Sequence, residues 1–182
     1  MRDLIAELLP HAPRLGLYLA PDIPSDKLRT AIRDYARDVD PAAVLALYDA
    51  TRLGSAKDGA LFLADRFVFQ NHALTDALSV RYEDVVRVEE KRQLLGGRRV
   101  EIDVNRGRAT VTESLDFSAH AEAAEYVARL LKEALLRPAT PSSAPAPGET
   151  DLAAVRAALA ELERAGSLAP DDRRRMLEAL GG

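Results

Sequence analysis

The chain lacks cysteine altogether, and among its 182 residues this absence excludes a disulfide framework, a zinc finger, an iron–sulfur cluster and a thiol nucleophile. It also lacks any apolar run near the roughly 20 residues that a helix needs to cross a bilayer. Acidic residues and Pro10 interrupt the first apolar segment, so we expect no secretory signal. We therefore expect a cytoplasmic protein whose only membrane contact would be peripheral, at the inner face.

An excess of positive charge is also missing. Lys and Arg number 25 against 29 Asp and Glu, which gives a net charge of −4. Nonspecific nucleic-acid binding needs a broad positive field, and stacking on bases needs aromatic residues between the cations. Neither pattern is present, so a nucleic-acid partner is not expected.

Residue patterns for catalysis and for cofactor or metal binding are likewise absent. His11, His72 and His120 each stand alone, without the spacing of a helical metal site. The glycines of segment 54–59 are spaced as in a phosphate-binding loop, but the Lys and Ser/Thr that would reach phosphate and magnesium do not follow. We expect no enzyme, no cofactor and no metal; carboxylate chemistry among the acids is the least favoured class of function.

Composition divides the chain into four segments. Residues 138–150 combine four prolines with small polar residues, which is typical of an extended linker. Residues 1–40 are expected to form helical segments, 41–137 a folded β-rich module with a closing helix, and 151–182 a small helical hairpin.

Apolar periodicity predicts α+β structure. A helix is expected after Ser25, because its apolar residues share one face: Leu28, Ala31, Ile32 and Tyr35. From Val44 the period changes to that of strands. About seven antiparallel strands without intervening helices predict a barrel, and a helix over 118–136, capped by Ser118, is expected to cover it. The strands are expected around 44–48, 61–63, 67–69, 80–82, 86–88, 100–104 and 109–117.

The run from Val44 to Asp65, followed by Tyr82-Glu83-Asp84-Val85-Val86 and a closing helix, resembles bacterial pleckstrin-homology-like (GRAM/PH-like) domains. The resemblance covers roughly residues 20 to 136. It implies an antiparallel barrel capped by a helix. Some members of that family bind phosphoinositide headgroups through basic strand loops, so the resemblance also implies an anionic lipid as a candidate partner.

The tail resembles SHOCT, a family of short C-terminal helical hairpins. Its apolar residues repeat at helical spacing, Gly166 suits the end of one helix, and Pro170 suits the start of the next. Helices this short do not bury their apolar faces alone, so a partner surface is expected. The candidate partner-binding residues are Leu152, Val155, Leu159, Leu162, Leu168, Met176, Leu177 and Leu180.

One stretch departs from the acidic average. Residues 91–108 hold six basic and two acidic side chains around two turns, and Leu94 and Leu95 lie at the first of these. A basic rim with an apolar tip is typical of peripheral membrane contact. Ordinary strand arginines paired across the ladder are the alternative. The candidate lipid- or anion-binding residues are Lys91, Arg92, Arg98, Arg106 and Arg108.

Taken together, the sequence favours a noncatalytic binding or regulatory module that contacts protein, with the tail as an oligomerisation or docking element. Peripheral attachment to anionic lipid through the basic strand loops is the alternative.

Overall fold

A computed structural model describes residues 1–72, 74–93 and 97–137. The expected linker 138–150, the expected hairpin 151–182 with its eight candidate partner-binding residues, and the Leu94-Leu95 pair lie outside the described residues. Within the described part of the chain, no helix is both long and apolar enough to span a membrane.

The described residues form three α-helices and eight β-strands, joined in part by short 3-10 turns. The helices are α1 (Arg2–Leu8), α2 (Ser25–Tyr35) and α3 (Ala123–Leu136). The strands are β1 (Leu17–Leu19), β2 (Ala46–Asp49), β3 (Gly59–Phe62), β4 (Arg66–Gln70), β5 (Leu78–Arg81), β6 (Val85–Arg92), β7 (Arg98–Asn105) and β8 (Thr110–Asp116).

The strands make two antiparallel sheets, one of five strands in the order β1 to β5 and one of three in the order β6 to β8. The α+β class and the antiparallel pairing are confirmed, whereas the strands form two separate sheets in place of the expected barrel of about seven strands. The break comes at the 3-10 turn Tyr82–Asp84, which redirects the chain between β5 and β6 so that these consecutive strands do not pair. In the sequence, the acidic pair Glu83-Asp84 separates the expected strands 80–82 and 86–88 at this point.

The eighth strand, β1, lies inside the segment 1–40 that was expected to be helical. It pairs with β2, with Leu17 opposite Tyr48. A three-residue strand is too short to show a period, so its apolar residues were not distinguishable from those of a helix.

Both faces of the five-stranded sheet are covered. Phe67 and Phe69 point into the main core, which also receives the three-stranded sheet, α1 and α3. Leu61 and Val68 are register partners on the other face, where they pack against α2. The expected buried face of α2 is confirmed, since Ala31 and Tyr35 lie in this second cluster. Apolar burial on both sides makes this sheet a rigid base for its loops.

The closing helix begins later than expected. α3 starts at Ala123, and Glu122 rather than Ser118 precedes it, with no side-chain cap. Ser118 instead donates its hydroxyl to Asp116 Oδ1 at 2.7 Å. The Ser118 hydroxyl thus bonds to a carboxylate two residues upstream, and Ser118 lies four residues before Glu122, the residue at the start of the helix.

Candidate functional site

The structure separates the five cationic candidates into two groups. Lys91, Arg92 and Arg98 lie where β6 ends and β7 begins, whereas Arg106 and Arg108 lie in the turn after β7. Arg98 and Arg106 are eight residues apart along an extended strand, a distance of about 26 Å. The stretch therefore makes no single basic patch.

Two cations of the first group are paired across the ladder, as the alternative interpretation expected. Arg98 binds Glu90, and Lys91 binds Glu101. The hydrogen bond from Lys91 lowers the pKa of Glu101, which keeps this carboxylate charged. Arg92 is exposed and has no ion pair among the described residues.

The first group lies at one end of the molecule, where the loops after β2 and β4 also lie. In an antiparallel sheet the ends of β2 and β4 meet the starts of β3 and β5, so these two loops are neighbours. Gln70 Nε2 donates to Asp58 Oδ1 at 3.3 Å and links them directly.

Each of these two loops carries a leucine that is almost completely exposed: Leu53 is 97% exposed and Leu74 is 97% exposed. Arg52 and Lys57 beside Leu53 are also exposed and have no ion pair in the part of the chain that the structure describes. We call this end of the molecule, with Leu53, Leu74, Arg52, Lys57 and Arg92, the leucine end.

The loop that carries Leu53 is held by a buried carboxylate. Asp49, 1% exposed, ends β2. Its Oδ1 accepts from Thr51 N at 2.9 Å and from Thr51 Oγ1 at 2.5 Å, and Thr51 Oγ1 accepts in turn from Ser55 N at 2.7 Å. The backbone from 49 to 55 is thus hydrogen-bonded through side chains, which fixes the base of the loop below Leu53.

Lys27 of α2 completes this arrangement. Its Nζ lies 2.7 Å from Asp49 Oδ2 and also donates to the Gly54 carbonyl. Burial acts to lower the pKa of Lys27, but the hydrogen bond and charge of Asp49 outweigh it and raise the pKa. A lysine nucleophile or base needs the opposite shift, so the geometry and charge of this pair fit a brace of the loop.

At the other margin of the loop, Gly59 has φ +141°, and a Cβ there would lie 1.9 Å from the Tyr48 carbonyl oxygen. Only glycine fits where the chain re-enters the sheet. The connection between β2 and β3 is nine residues long, 50–58.

The loop after β4 is tied to the second sheet. Asn71 Nδ2 donates to the Ser114 carbonyl at 2.6 Å, and Asp116 N donates to Asn71 Oδ1 at 2.9 Å. The side-chain amide therefore pairs with the edge of β8 as a backbone strand would. Gln93, next to the start of the β6–β7 connection, donates to Asp116 Oδ1 at 2.9 Å, which brings this connection to the same end.

Arg106 lies at the other end of the molecule, in an open cleft of about 440 Å³. Arg66 and Arg81 line the same cleft. We call it the arginine cleft. Arg108 is exposed and does not line it.

The histidines lie apart from one another. His11 Nδ1 accepts from Leu19 N at 3.3 Å, and the His120 ring stands edge-on to Tyr48. His72 belongs to the loop after β4, where its carbonyl accepts from Thr75. Across residues 1–72, 74–93 and 97–137, no three His, Asp or Glu side chains come together as a metal site would require.

Sequence reasoning missed the exposed leucines and the buried ion pair at the leucine end. Leu53 and Leu74 are single leucines in polar segments, and nothing in the pattern distinguishes them from buried ones. The Asp49–Lys27 pair joins residues 22 positions apart, so only the fold reveals it. Asp49 following an apolar strand was the one signal available, since an acid at a strand end often caps the next turn.

Comparison with known proteins identifies no relative: no family model, no curated protein and no solved structure matches this chain.

Proposed function

We propose that the described module is noncatalytic and docks on an anionic membrane surface through the leucine end. The observation that carries the proposal is the exposure of Leu53 and Leu74 on neighbouring loops, one of them braced by a buried ion pair. This is the lipid alternative of the sequence analysis with a different set of residues, because Arg106 and Arg108 lie at the other end.

The form of the leucine end favours a bilayer over a protein. A protein interface usually has a contiguous apolar centre that becomes buried on binding. Here the leucines are single, fully exposed residues on separate loops; Arg52 and Lys57 share the loop of Leu53, Arg92 lies at the same end of the molecule, and the exposed Asp76 shares the loop of Leu74. Side chains of this kind enter the headgroup region one by one while the cations remain at the phosphate level.

The magnitudes indicate reversible attachment. Inserting a leucine contributes about 2 kcal/mol, and each cation near an anionic surface contributes about 1 kcal/mol. Two leucines and three cations, less the repulsion of the exposed Asp76, offset the several kcal/mol of lost translational and rotational freedom with only a small surplus. Binding should therefore depend on both the leucines and the salt concentration.

Co-sedimentation of the full chain with vesicles tests the proposal. We expect binding to phosphatidylcholine vesicles that contain phosphatidylserine, little binding to phosphatidylcholine alone, and loss of binding as salt rises. Replacing Lys57→Gln together with Arg92→Gln should weaken binding about tenfold or more, since each removes one surface cation. Arg108→Gln is the matched control and should leave binding unchanged. Binding that ignores salt and these charges would contradict the proposal.

A second proposal concerns the chain beyond Arg137. The apolar repeat in 152–180 favours a tail that contacts protein, either a second copy or another partner. The resemblance of the tail to SHOCT hairpins, like that of residues 20 to 136 to pleckstrin-homology-like domains, stays a proposal. Light scattering tests self-association. We expect more subunits per particle for the full chain than for a chain ending at Arg137. Equal oligomeric states would remove the tail from assembly.

A further inference from the structure

Two arginines face each other at the end of the molecule opposite the leucines. Arg66 begins β4, Arg81 ends β5, and the two are register partners. Side chains at such positions have β-carbons about 5 Å apart, and like charges there are destabilising. An arrangement of this kind needs a compensating negative charge.

The carboxylates near Arg66 compensate it only in part. Its guanidinium lies 3.4 Å from Asp38 Oδ2 and 3.5 Å from Asp65 Oδ2, and these acidic side chains are 75% and 50% exposed. Long contacts to exposed acids contribute little. Arg66 Nε is buried and has no hydrogen-bond partner among the described residues. A donor of Arg66 is therefore left unsatisfied at this site.

A third cation reaches the same place from the other sheet. Arg106, in the turn after β7, lines the cleft with Arg66, Arg81, Ser79 and three carboxylates, those of Asp38, Asp65 and Asp84. Arg106 is exposed and forms no ion pair within the described ranges, whereas Arg81 binds Glu83. The cleft is open to solvent and its lining is mostly polar.

We propose that the arginine cleft binds a small phosphate monoester. Guanidinium groups donate two parallel hydrogen bonds to phosphate oxygens, and a dianion between Arg66 and Arg81 would relieve their mutual repulsion. Ser79 supplies a neutral donor. Asp38, Asp65 and Asp84 also line the cleft and oppose an anion, so the ester competes with three carboxylates for the arginines, and substitution of Asp84 removes one of these competitors. This site is independent of the leucine end.

Titration of the labelled full chain with glycerol 3-phosphate, followed by amide NMR, tests the proposal. We expect saturable shifts around Ser79, Arg81 and Arg106. Arg106→Gln should weaken binding about tenfold, because it removes a charge-assisted hydrogen bond from an exposed side chain that supports no other contact. Asp84→Asn should strengthen binding, since it removes one opposing carboxylate.

Arg108→Gln is the matched control, a neighbouring arginine outside the cleft, and should bind the ester normally. Leu53→Ala should also bind it normally, which separates this proposal from membrane docking. The absence of saturable shifts would overturn it, as would equal weakening by Arg106→Gln and Arg108→Gln. A small-ligand site would likewise be overturned if Arg81→Gln weakened binding to phosphatidic acid vesicles but did not change binding of the soluble ester.

Discussion

Lys27 Nζ lies 2.7 Å from Asp49 Oδ2, and this ion pair joins the first turn of α2 to the base of the loop that carries Leu53. The side chains of Lys27 and Asp49 are only 13% and 2% exposed. A fully exposed leucine thus stands on a loop whose base is fixed by buried charge. Preorganisation of this kind reduces the ordering cost of binding.

Breaking that pair should destabilise the fold. Lys27→Met leaves the Asp49 carboxylate buried without its cation, and removal of one partner of a buried pair typically costs about 3 kcal/mol or more. Urea unfolding should show this loss. Arg33→Ala, which breaks the exposed pair with Asp34 on the same helix, is the control and should change the midpoint little. Equal effects of the two substitutions would contradict the bracing role of Lys27.

Removing the Tyr35 hydroxyl should stabilise the protein. This hydroxyl is buried without a hydrogen-bond partner in the described structure, so Tyr35→Phe removes an unsatisfied group and should add about 1 kcal/mol to the free energy of unfolding. Tyr82→Phe is the matched control, because the Tyr82 hydroxyl donates to the Leu63 carbonyl at 3.3 Å and its loss should destabilise. Thermal or urea unfolding of both variants measures the difference in sign.

Stability should fall in alkali. Burial, assisted by the charges of Asp49 and Asp58, raises the pKa of Tyr35 above its ordinary 10.0, and Asp49 raises that of Lys27 above 10.5. Above these ordinary values the unfolded chain loses protons that the folded chain keeps, so the free energy of unfolding decreases as pH rises. Urea unfolding at about pH 8 and about pH 11 should show the decrease. Tyr35→Phe should make it smaller; an identical decrease would exclude Tyr35 as a source.

Asn71 should hold the two sheets together at the leucine end. Asn71→Ala removes both hydrogen bonds to the edge of β8 and should cost about 2 kcal/mol. Hydrogen exchange at the Asp116 amide, which donates to Asn71, should accelerate more than exchange at the amides of β3. Asn105→Ala, which affects only an exposed turn contact with Gly107, serves as the control.

Much of the fold could be predicted from local sequence pattern. The apolar face of α2, the strands β2 to β8 and the closing helix all follow from periodicity, because each buries a regular set of side chains. The pairing between strands could not be predicted in the same way. Whether β5 and β6 pair depends on how a three-residue turn directs the chain, and the pattern of apolar residues carries no information on that direction.

The candidate site was less predictable than the fold. Both the basic character of 91–108 and the strand over 100–104 are evident from the sequence. Because Arg98 and Arg106 lie at opposite ends of that strand, they do not form one patch. The partners that neutralise Lys91 and Arg98 lie across the ladder, and their register is a tertiary property. Leu53 and Leu74 became recognisable only through their exposure, since apolar residues in loops pack inward as often as they protrude.

Vesicle binding by the double variant Leu53→Ala, Leu74→Ala tests the central claim most directly. The control is Leu136→Ala, which removes a leucine that is 76% exposed at the far end of α3. We predict that the double variant, unchanged in its urea midpoint, loses binding to phosphatidylserine vesicles by about a hundredfold or more, whereas Leu136→Ala binds as the unaltered protein does. Undiminished binding by the double variant, or equal losses in both, would contradict docking through the leucine end.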